Sequence, residues 1–264
     1  MNHLGSYSTL TSEEMSLLAE LLGDSPETIL AVHALRRHDC QALVIGEFSA
    51  IQAAVIQRTE FPSEPQAFGT DVRAIWKLLQ AIQGWDCVNV AWDVAESLGV
   101  LIHEKLRIPV RYYGDFYYTL PKPVAQFRHE HVRRLGLEDL DLLESAPKEF
   151  RGHGYGSPRG LLEAGLVACG IVSGRVVSIA HTAGQTKKFA DIGVITHKDW
   201  QNKGLATAAA SIVAKVLQEK GIIPVWSAGD DNPPSVRIAQ KLGFSKVSQR
   251  QYVILEKKEG YTSG

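Results

Sequence analysis

The clearest chemistry in the chain lies between Ala190 and Thr207. Residues 191–196 are β-rich and lead into a loop, Gln201-Asn202-Lys203-Gly204-Leu205-Ala206. An alanine-rich stretch with helical character follows, from Thr207 to about Lys220. A strand, a loop with a glycine and a helix start together form a place to hold a phosphate. The first N–H groups of a helix point outward unpaired, and the helix dipole favours an anion there. Gly204 lets the backbone approach such a ligand without a Cβ in the way, and Lys203 adds positive charge. The rest of the chain has to say what carries the phosphate.

The chain has 264 residues, enough for one large domain or two small ones. Hydrophobic residues make up 45% and charged residues 22%, as in a globular protein. Lys+Arg 28 against Asp+Glu 29 leaves a net charge of -1, which argues against a nucleic-acid partner. Cys40, Cys87 and Cys169 lie far apart and form no C-x-x-C pair, so neither a disulfide framework nor a metal site is expected. No basic-then-apolar leader and no apolar run of about 18 residues is visible, so the expectation is a cytoplasmic protein with no membrane partner.

The elements that must position the loop can be read from period and caps. Thr11-Ser12-Glu13-Glu14 is a capping box before a short helix over 15–22, and apolar residues at helical spacing predict another over 29–38. Residues 41–46 and 50–57 read as a hairpin, and Thr70-Asp71 caps a helix over 72–82. A strand over 85–92, a helix over 95–106 and an aromatic strand over 110–120 follow. Leu120-Pro121-Lys122-Pro123 is the expected linker, dividing the chain into domains 1–120 and 124–264. Beyond it, 124–135 reads as a strand with a polar turn and 137–143 as an acidic helix. Ser157-Pro158 starts a helix, 166–172 and 176–183 form a hairpin, and 188–196 is a third strand. After the alanine-rich helix come a strand over 222–227, a helix over 235–242 closed by Gly243, and a strand over 252–256.

Both halves therefore run hairpin, strand, helix, strand, helix, strand. Ile238 minus Ile102 gives an offset of 136, at which residues 100–106 match residues 236–242 at four of seven positions. The phosphate loop has no counterpart in the first half, where Gly69-Thr70 passes almost directly into the helix.

Gln201-Asn202-Lys203-Gly204-Leu205-Ala206 fits the Arg/Gln-x-x-Gly-x-Gly/Ala block of the GNAT acyltransferase superfamily. Asn232-Pro233-Pro234-Ser235 followed by Leu242-Gly243-Phe244 fits its later block, with a strand between the two. Over about residues 161–255 the chain resembles that superfamily. The Pro224-Val225-Trp226 strand and the Ala239 to Phe244 ending look like its zwittermicin-resistance type, and the first half looks like a degenerate copy of the same fold. The resemblance implies an α/β (α+β) fold of tandem GNAT-like lobes, each a mixed, mostly antiparallel sheet flanked by helices.

It also implies acetyl-CoA as co-substrate, with no metal. Backbone groups of Gln201, Asn202, Lys203, Gly204, Leu205, Ala206 and Thr207 would hold the pyrophosphate. Val194, Ile195 and Thr196 would pair with the pantetheine amides, Asn232 would bond the same arm, and an N–H near Ile195 or Thr196 would face the oxyanion. A β-bulge on that strand would splay it from the strand over 222–227. Asp191 is read either as the base that takes the amine proton or as a solvated strand residue, with Glu163 and His181 as other candidates. The tyrosine acid of many relatives is replaced by Ala239, which leaves Ser235 or a water to protonate the thiolate.

Three further features are read as structural. Gly152-x-Gly154-x-Gly156 is expected to be a mobile lid near the acceptor, His129 and His131 a solvated pair, and the aromatic run from Tyr112 to Tyr118 core. The functional expectation is an N-acetyltransferase acting on a small-molecule amine, antibiotic or amino-acid-like, as a monomer or homodimer. The alternatives are an acyl-CoA-binding sensor or sequestering protein, and a transferase with another acyl donor such as aminoacyl-tRNA.

Overall fold

The computed structural model describes residues 10–229 and 231–256. Along the chain the elements are α1 (Ser12–Leu22), α2 (Ile29–Arg37), β1 (Cys40–Glu47), β2 (Ala50–Arg58), β3 (Gln66–Gly69), α3 (Val72–Leu79), β4 (Cys87–Ala91), α4 (Trp92–Leu106) and β5 (Val110–Thr119). They continue with β6 (Val132–Arg134), α5 (Leu140–Ser145), α6 (Pro158–Ala164), β7 (Val167–Val172), β8 (Arg175–Gln185), β9 (Phe189–Thr196), α7 (Leu205–Glu219), β10 (Ile223–Gly229), α8 (Pro233–Leu242) and β11 (Ser245–Leu255). Among the described residues no helix is long and apolar enough to cross a membrane. Contacts divide the chain into two compact units. The first takes the described residues before 23, from 34 to 115, and from 249 onward; the second takes 23–33 and 116–248. Each is a mixed, mostly antiparallel sheet flanked by helices.

In the first unit β1, β2, β3, β4 and β11 are neighbours in that order. All the pairings are antiparallel except β3 with β4, which is parallel and registers only at Gln66↔Asn89. Asp71 caps α3, its Oδ1 accepting from the N–H groups of Arg73 (2.9 Å) and Ala74 (3.1 Å). Helical spacing then puts Ile75, Leu78 and Leu79 on the face that packs with Val55, Val88, Leu98 and Ile102. Each such side chain, fully buried, contributes about 1.5–3 kcal/mol. Arg250 of β11 lies in this unit and is buried. Its Nη2 donates to Ala67 O on β3 (2.7 Å) and Asn89 O on β4 (3.1 Å), and its Nε donates to Asn89 Oδ1 (2.5 Å). The guanidinium thus bridges two strands that barely pair with one another.

In the second unit the order is β10, β9, β8, β7, β6. Only the β9–β10 pairing is parallel. Helix α7 lies on one face through Ala209, Ala210 and Ala214, against Ala168, Ala180 and Ala190 of the strands. Small residues on both sides bring helix and sheet close: a Cβ on Gly170 would sit 3.1 Å from Leu205 Cδ2. That closeness holds the start of α7 against β7. The opposite face is covered by Leu143, Phe150, Tyr155 and Leu161.

Hairpin, strand, helix, strand, helix, strand occurs twice along the chain, as β1-β2-β3-α3-β4-α4-β5 and β7-β8-β9-α7-β10-α8-β11. Adding 136 to the bounds of β4 gives 223–227, inside β10, and adding it to those of β5 gives 246–255, inside β11.

Two expectations change. Residues 124–131 are not a strand, and only Val132–Arg134 pairs with β7. This segment crosses α7, whose side chains take over its main-chain bonding. Gln218 Oε1 accepts from Val124 N (3.0 Å), and Ser211 Oγ lies 3.3 Å from Phe127 N and 3.2 Å from its carbonyl. The proline-rich segment is not a free linker either. Gln218 Nε2 donates to the carbonyls of Leu120 (2.9 Å) and Lys122 (2.6 Å), and Leu120 is 1% exposed.

Candidate active site

The loop before α7 is shaped by two left-handed residues, Asn202 at φ 60° and Gly204 at φ 85°. Asparagine tolerates that region and glycine enters it without strain. Gly204 is the N-cap of α7, and no side chain caps it. The first intrahelical bond runs from Ala208 N to Gly204 O (3.0 Å), so the N–H groups of Leu205, Ala206 and Thr207 have no acceptor in their own helix. A Cβ on Gly204 would meet only His129 Cδ2, at 3.9 Å, so the space over the helix start is open. In the first unit the matching helix start is closed by the chain's own carboxylate, Asp71.

β9 and β10 form a fork. They pair at Phe189↔Ile223, Ala190↔Pro224 and Asp191↔Val225, and no further. His197 N donates to Val177 O (2.8 Å), which makes that pair a hydrogen-bonded one in the β8–β9 ladder. Antiparallel alternation then turns the main-chain groups of Ile195 and Gly193 toward β8 and those of Val194 and Thr196 toward the open fork. Of the two N–H groups expected to face an oxyanion, that of Thr196 is therefore turned toward the open fork, as is that of Val194, and that of Ile195 toward β8. The bulge is not on β9 as expected. It is on β8, where Ala183 is passed over between Thr182↔Ile192 and Gly184↔Asp191. The extra residue belongs to the longer strand, and β9 parts from β10 without one.

Fork and helix start open into one cavity of about 630 Å³. Val194, Ile195, Thr196, Gln201, Asn202, Lys203, Gly204, Leu205, Ala206, Thr207, Asn232 and Ser235 all line it. Gln201 Nε2 donates to Thr196 O (3.3 Å), tying the loop to the end of β9. Asn232 Oδ1 accepts from Ser235 N (3.2 Å) as the cap of α8, which leaves its amide hydrogens for a ligand. Trp226 Nε1 donates to Ser235 Oγ (2.9 Å), so the serine oxygen accepts and its hydroxyl hydrogen remains available. Trp200, Trp226, Arg237 and Lys241 also line the cavity. Sequence reasoning missed them, although the spacing of Arg237 and Lys241 on one helix face was readable.

Asp191 is not in that cavity. Its neighbours Ala190 and Ile192 pack in the cluster with α7, so strand alternation sends Asp191 to the opposite face, at the apex of the fork. It is 5% exposed and accepts from Ser227 Oγ at 3.4 Å. Glu163 is exposed and pairs with Arg159 (3.6 Å) on α6. His181 is buried, and its pKa falls to about 3, through burial first and then the neighbouring His153. Its Nε2 accepts from His153 N (3.1 Å), so a neutral ring carries its proton on Nδ1, which has no hydrogen-bond partner. A ring this reluctant to ionise is a poor base.

The glycine-rich loop is fastened rather than a loose lid. His33 Nε2 lies 2.7 Å from Gly154 O, and Tyr155 donates to Thr182 Oγ1 (3.1 Å). A Cβ on Gly154 would sit 2.0 Å from Ala183 O, so the loop lies directly on the bulge of β8. His131 N donates to His129 Nδ1 (3.2 Å), and no group of three metal-ligating side chains occurs among the described residues.

Comparison with known proteins agrees with this geometry. The family model described as GNAT acetyltransferase matches residues 139–255. This segment is similar to GNAT acetyltransferases. A GCN5-related N-acetyltransferase-like protein from Streptococcus suis 89/1591 has the same fold (TM-score 0.67, 21% identity), covering 93% of this chain and 99% of its own. A putative GNAT-family acetyltransferase from Novosphingobium aromaticivorans DSM 12444 superposes with a TM-score of 0.59 at 18% identity, over 89% of this chain and all (100%) of its own. A tandem GNAT protein from the clavulanic acid biosynthesis pathway gives 0.54 at 10% identity, over 96% of this chain and 99% of its own. No curated protein matches at a significant level. The fold is that of the GNAT proteins.

Proposed function

We propose that the chain transfers an acetyl group from acetyl-CoA to the amine of a small molecule by direct attack on the thioester. One observation carries the reading. The unpaired start of α7 and the β9–β10 fork share one cavity with the amide of Asn232. The pyrophosphate would rest on the N–H groups of Leu205, Ala206 and Thr207, with Lys203 beside it. The pantetheine arm would lie along Val194 and Thr196 as a strand substitute, so that the thioester enters the fork. A main-chain N–H of Val194 or Thr196 would donate to the developing oxyanion.

The amine would arrive from the opposite face, where Asp191 sits at the fork apex beside Ser227. Asp191 takes the amine proton, directly or through water, and Ser235, held by Trp226, gives one to the departing thiolate. Domain 1–120 is read as a degenerate copy of the cofactor-binding domain 124–264. The capping of α3 by Asp71 and the bridging of β3 and β4 by Arg250 support that reading. The Pro224-Val225-Trp226 strand and the ending at Phe244 motivate an antibiotic or amino-acid-like acceptor. The test is release of free CoA thiol over a panel of amine classes. Amine-dependent release is expected; tight acetyl-CoA binding with no release on any amine would overturn the catalytic reading in favour of a sequestering role.

A further inference from the structure

Two cations line the cavity away from the start of α7 and the fork. Arg237 and Lys241 are exposed, lie four residues apart on α8, and line the same cavity as Gly204 and Asn232. Pro234, Ser235, Ile238 and Lys241 fall on the same helix face at i, i+1, i+4 and i+7, so that face looks into the cavity. Among the described residues neither cation makes an ion pair with a carboxylate. Lys241 Nζ lies 5.0 Å over the ring of Phe127, which belongs to the segment crossing α7. Like charges at i,i+4 weaken a helix, so an uncompensated pair in a ligand cavity calls for an anion.

The position along α8 says which anion. Asn232 and Ser235 mark the pantetheine end, at the first turn of the helix. Lys241 lies nine residues beyond Asn232, at the far end of the helix, about 13 Å away at 1.5 Å per residue. The pyrophosphate already has the start of α7 and Lys203. What lies beyond it in coenzyme A is the adenosine with its 3′-phosphate, a dianion that one helix start cannot also serve.

We propose that Arg237 and Lys241 form a phosphomonoester subsite that reads the 3′-phosphate of the coenzyme A nucleotide, so that the protein discriminates CoA from 3′-dephospho-CoA. The inference rests on the acetyl-CoA reading above. Arg237 supplies a fork that fits phosphate oxygens in pairs, and Lys241 supplies a point charge one helical turn away.

The test is calorimetric titration of wild type, Arg237→Gln and Lys241→Gln with CoA and with 3′-dephospho-CoA, at fixed salt. Both positions are exposed, and an unchanged melting temperature shows that the variants fold. Wild type is expected to prefer CoA by roughly tenfold to a hundredfold, the range for a charge-assisted contact. Each substitution is expected to remove much of that preference while leaving the affinity for 3′-dephospho-CoA unchanged. Adenosine 3′,5′-bisphosphate should compete with CoA in wild type and lose that ability in the variants. Equal wild-type affinity for CoA and 3′-dephospho-CoA would overturn the subsite and leave the acetyl-CoA reading standing. An equal loss of both affinities in the variants would move the two cations to the pyrophosphate and also overturn it. Binding of neither ligand by wild type would overturn the acetyl-CoA reading itself.

Discussion

Replacing Arg250 by methionine removes the bridge between β3 and β4 while keeping most of the side-chain volume. Four things are lost or exposed at once. Ala67 O, Asn89 O and Asn89 Oδ1 lose a charged donor, and Asn89, whose Nδ2 donates to Asp115 Oδ2 (3.0 Å), loses the contact that orients its amide. The guanidinium also lies 4.6 Å over the ring of Phe68. Arg250 is 4% exposed and Asn89 fully buried, so water does not replace these contacts. Removing one partner of a buried charged network costs about 3–5 kcal/mol. In a protein of this size each kcal/mol moves the melting temperature by about 2–4 °C, so a fall of roughly 10 °C is expected. Arg250→Lys keeps the charge but cannot serve two strands and Asn89 together, and should fall between the two. Denaturant unfolding followed by circular dichroism gives the free energies. A loss below about 1 kcal/mol for Arg250→Met would refute the claim that the guanidinium holds β3 and β4 together.

Three further outcomes follow from the site. Ser235→Ala should lower kcat by about tenfold to a hundredfold with little change in KM for acetyl-CoA, because it removes a proton donor rather than a binding group; an unchanged kcat would assign the proton to water. His181, with its native pKa lowered to about 3, binds a proton less readily folded than unfolded, so stability should fall as the pH drops below about 6.5, by about 1.4 kcal/mol per pH unit. His181→Gln should flatten that acid limb in denaturant titrations between pH 6.5 and 4.5, and an identical limb would show that the ring is not the cause. Gly154→Ala forces a Cβ against the carbonyl of Ala183 at a left-handed φ of 92°, and should cost about 2–4 kcal/mol by the same unfolding assay; a neutral substitution would show that the loop does not rest on β8.

Much of the site could be read before the structure because its chemistry is local. Gly204 with its left-handed φ adjoins the helix that it opens, and Asn232 adjoins the helix that it caps, and sequence periodicity reports such local features directly. The order of elements was readable for the same reason, down to the Asp71 and Ser157 caps. What escaped depends on residues far apart in sequence. Val124 and Phe127 bond to Gln218 and Ser211 across separations of 94 and 84 residues, so their apolar pattern looked like a strand although α7 had claimed their main chain. The role of Arg250 was hidden likewise: β11 was expected to start at 252 instead of Ser245, which left Arg250 outside the strand. The bulge was placed one strand away from Ala183 because a splay between β9 and β10 says nothing about which neighbour carries the extra residue. Asp191 was read on the correct strand, but only the packing of Ala190 and Ile192 with α7 shows that it lies on the face away from the cavity.

The central claim is that the start of α7 binds the pyrophosphate of acetyl-CoA, and Gly204→Glu tests it most directly. The new side chain projects into the open space above the helix, where the nearest atom to its Cβ is His129 Cδ2 at 3.9 Å. A carboxylate at a helix N-terminus is favourable by about 0.3–1 kcal/mol, which partly offsets the cost of about 1–2 kcal/mol for a side chain at left-handed φ. The fold should therefore survive with a melting temperature within a few degrees of wild type. The same carboxylate occupies the anion site and repels the pyrophosphate, so calorimetric titration should show acetyl-CoA affinity reduced by at least about a hundredfold. A folded Gly204→Glu variant that binds acetyl-CoA as tightly as wild type would contradict the account.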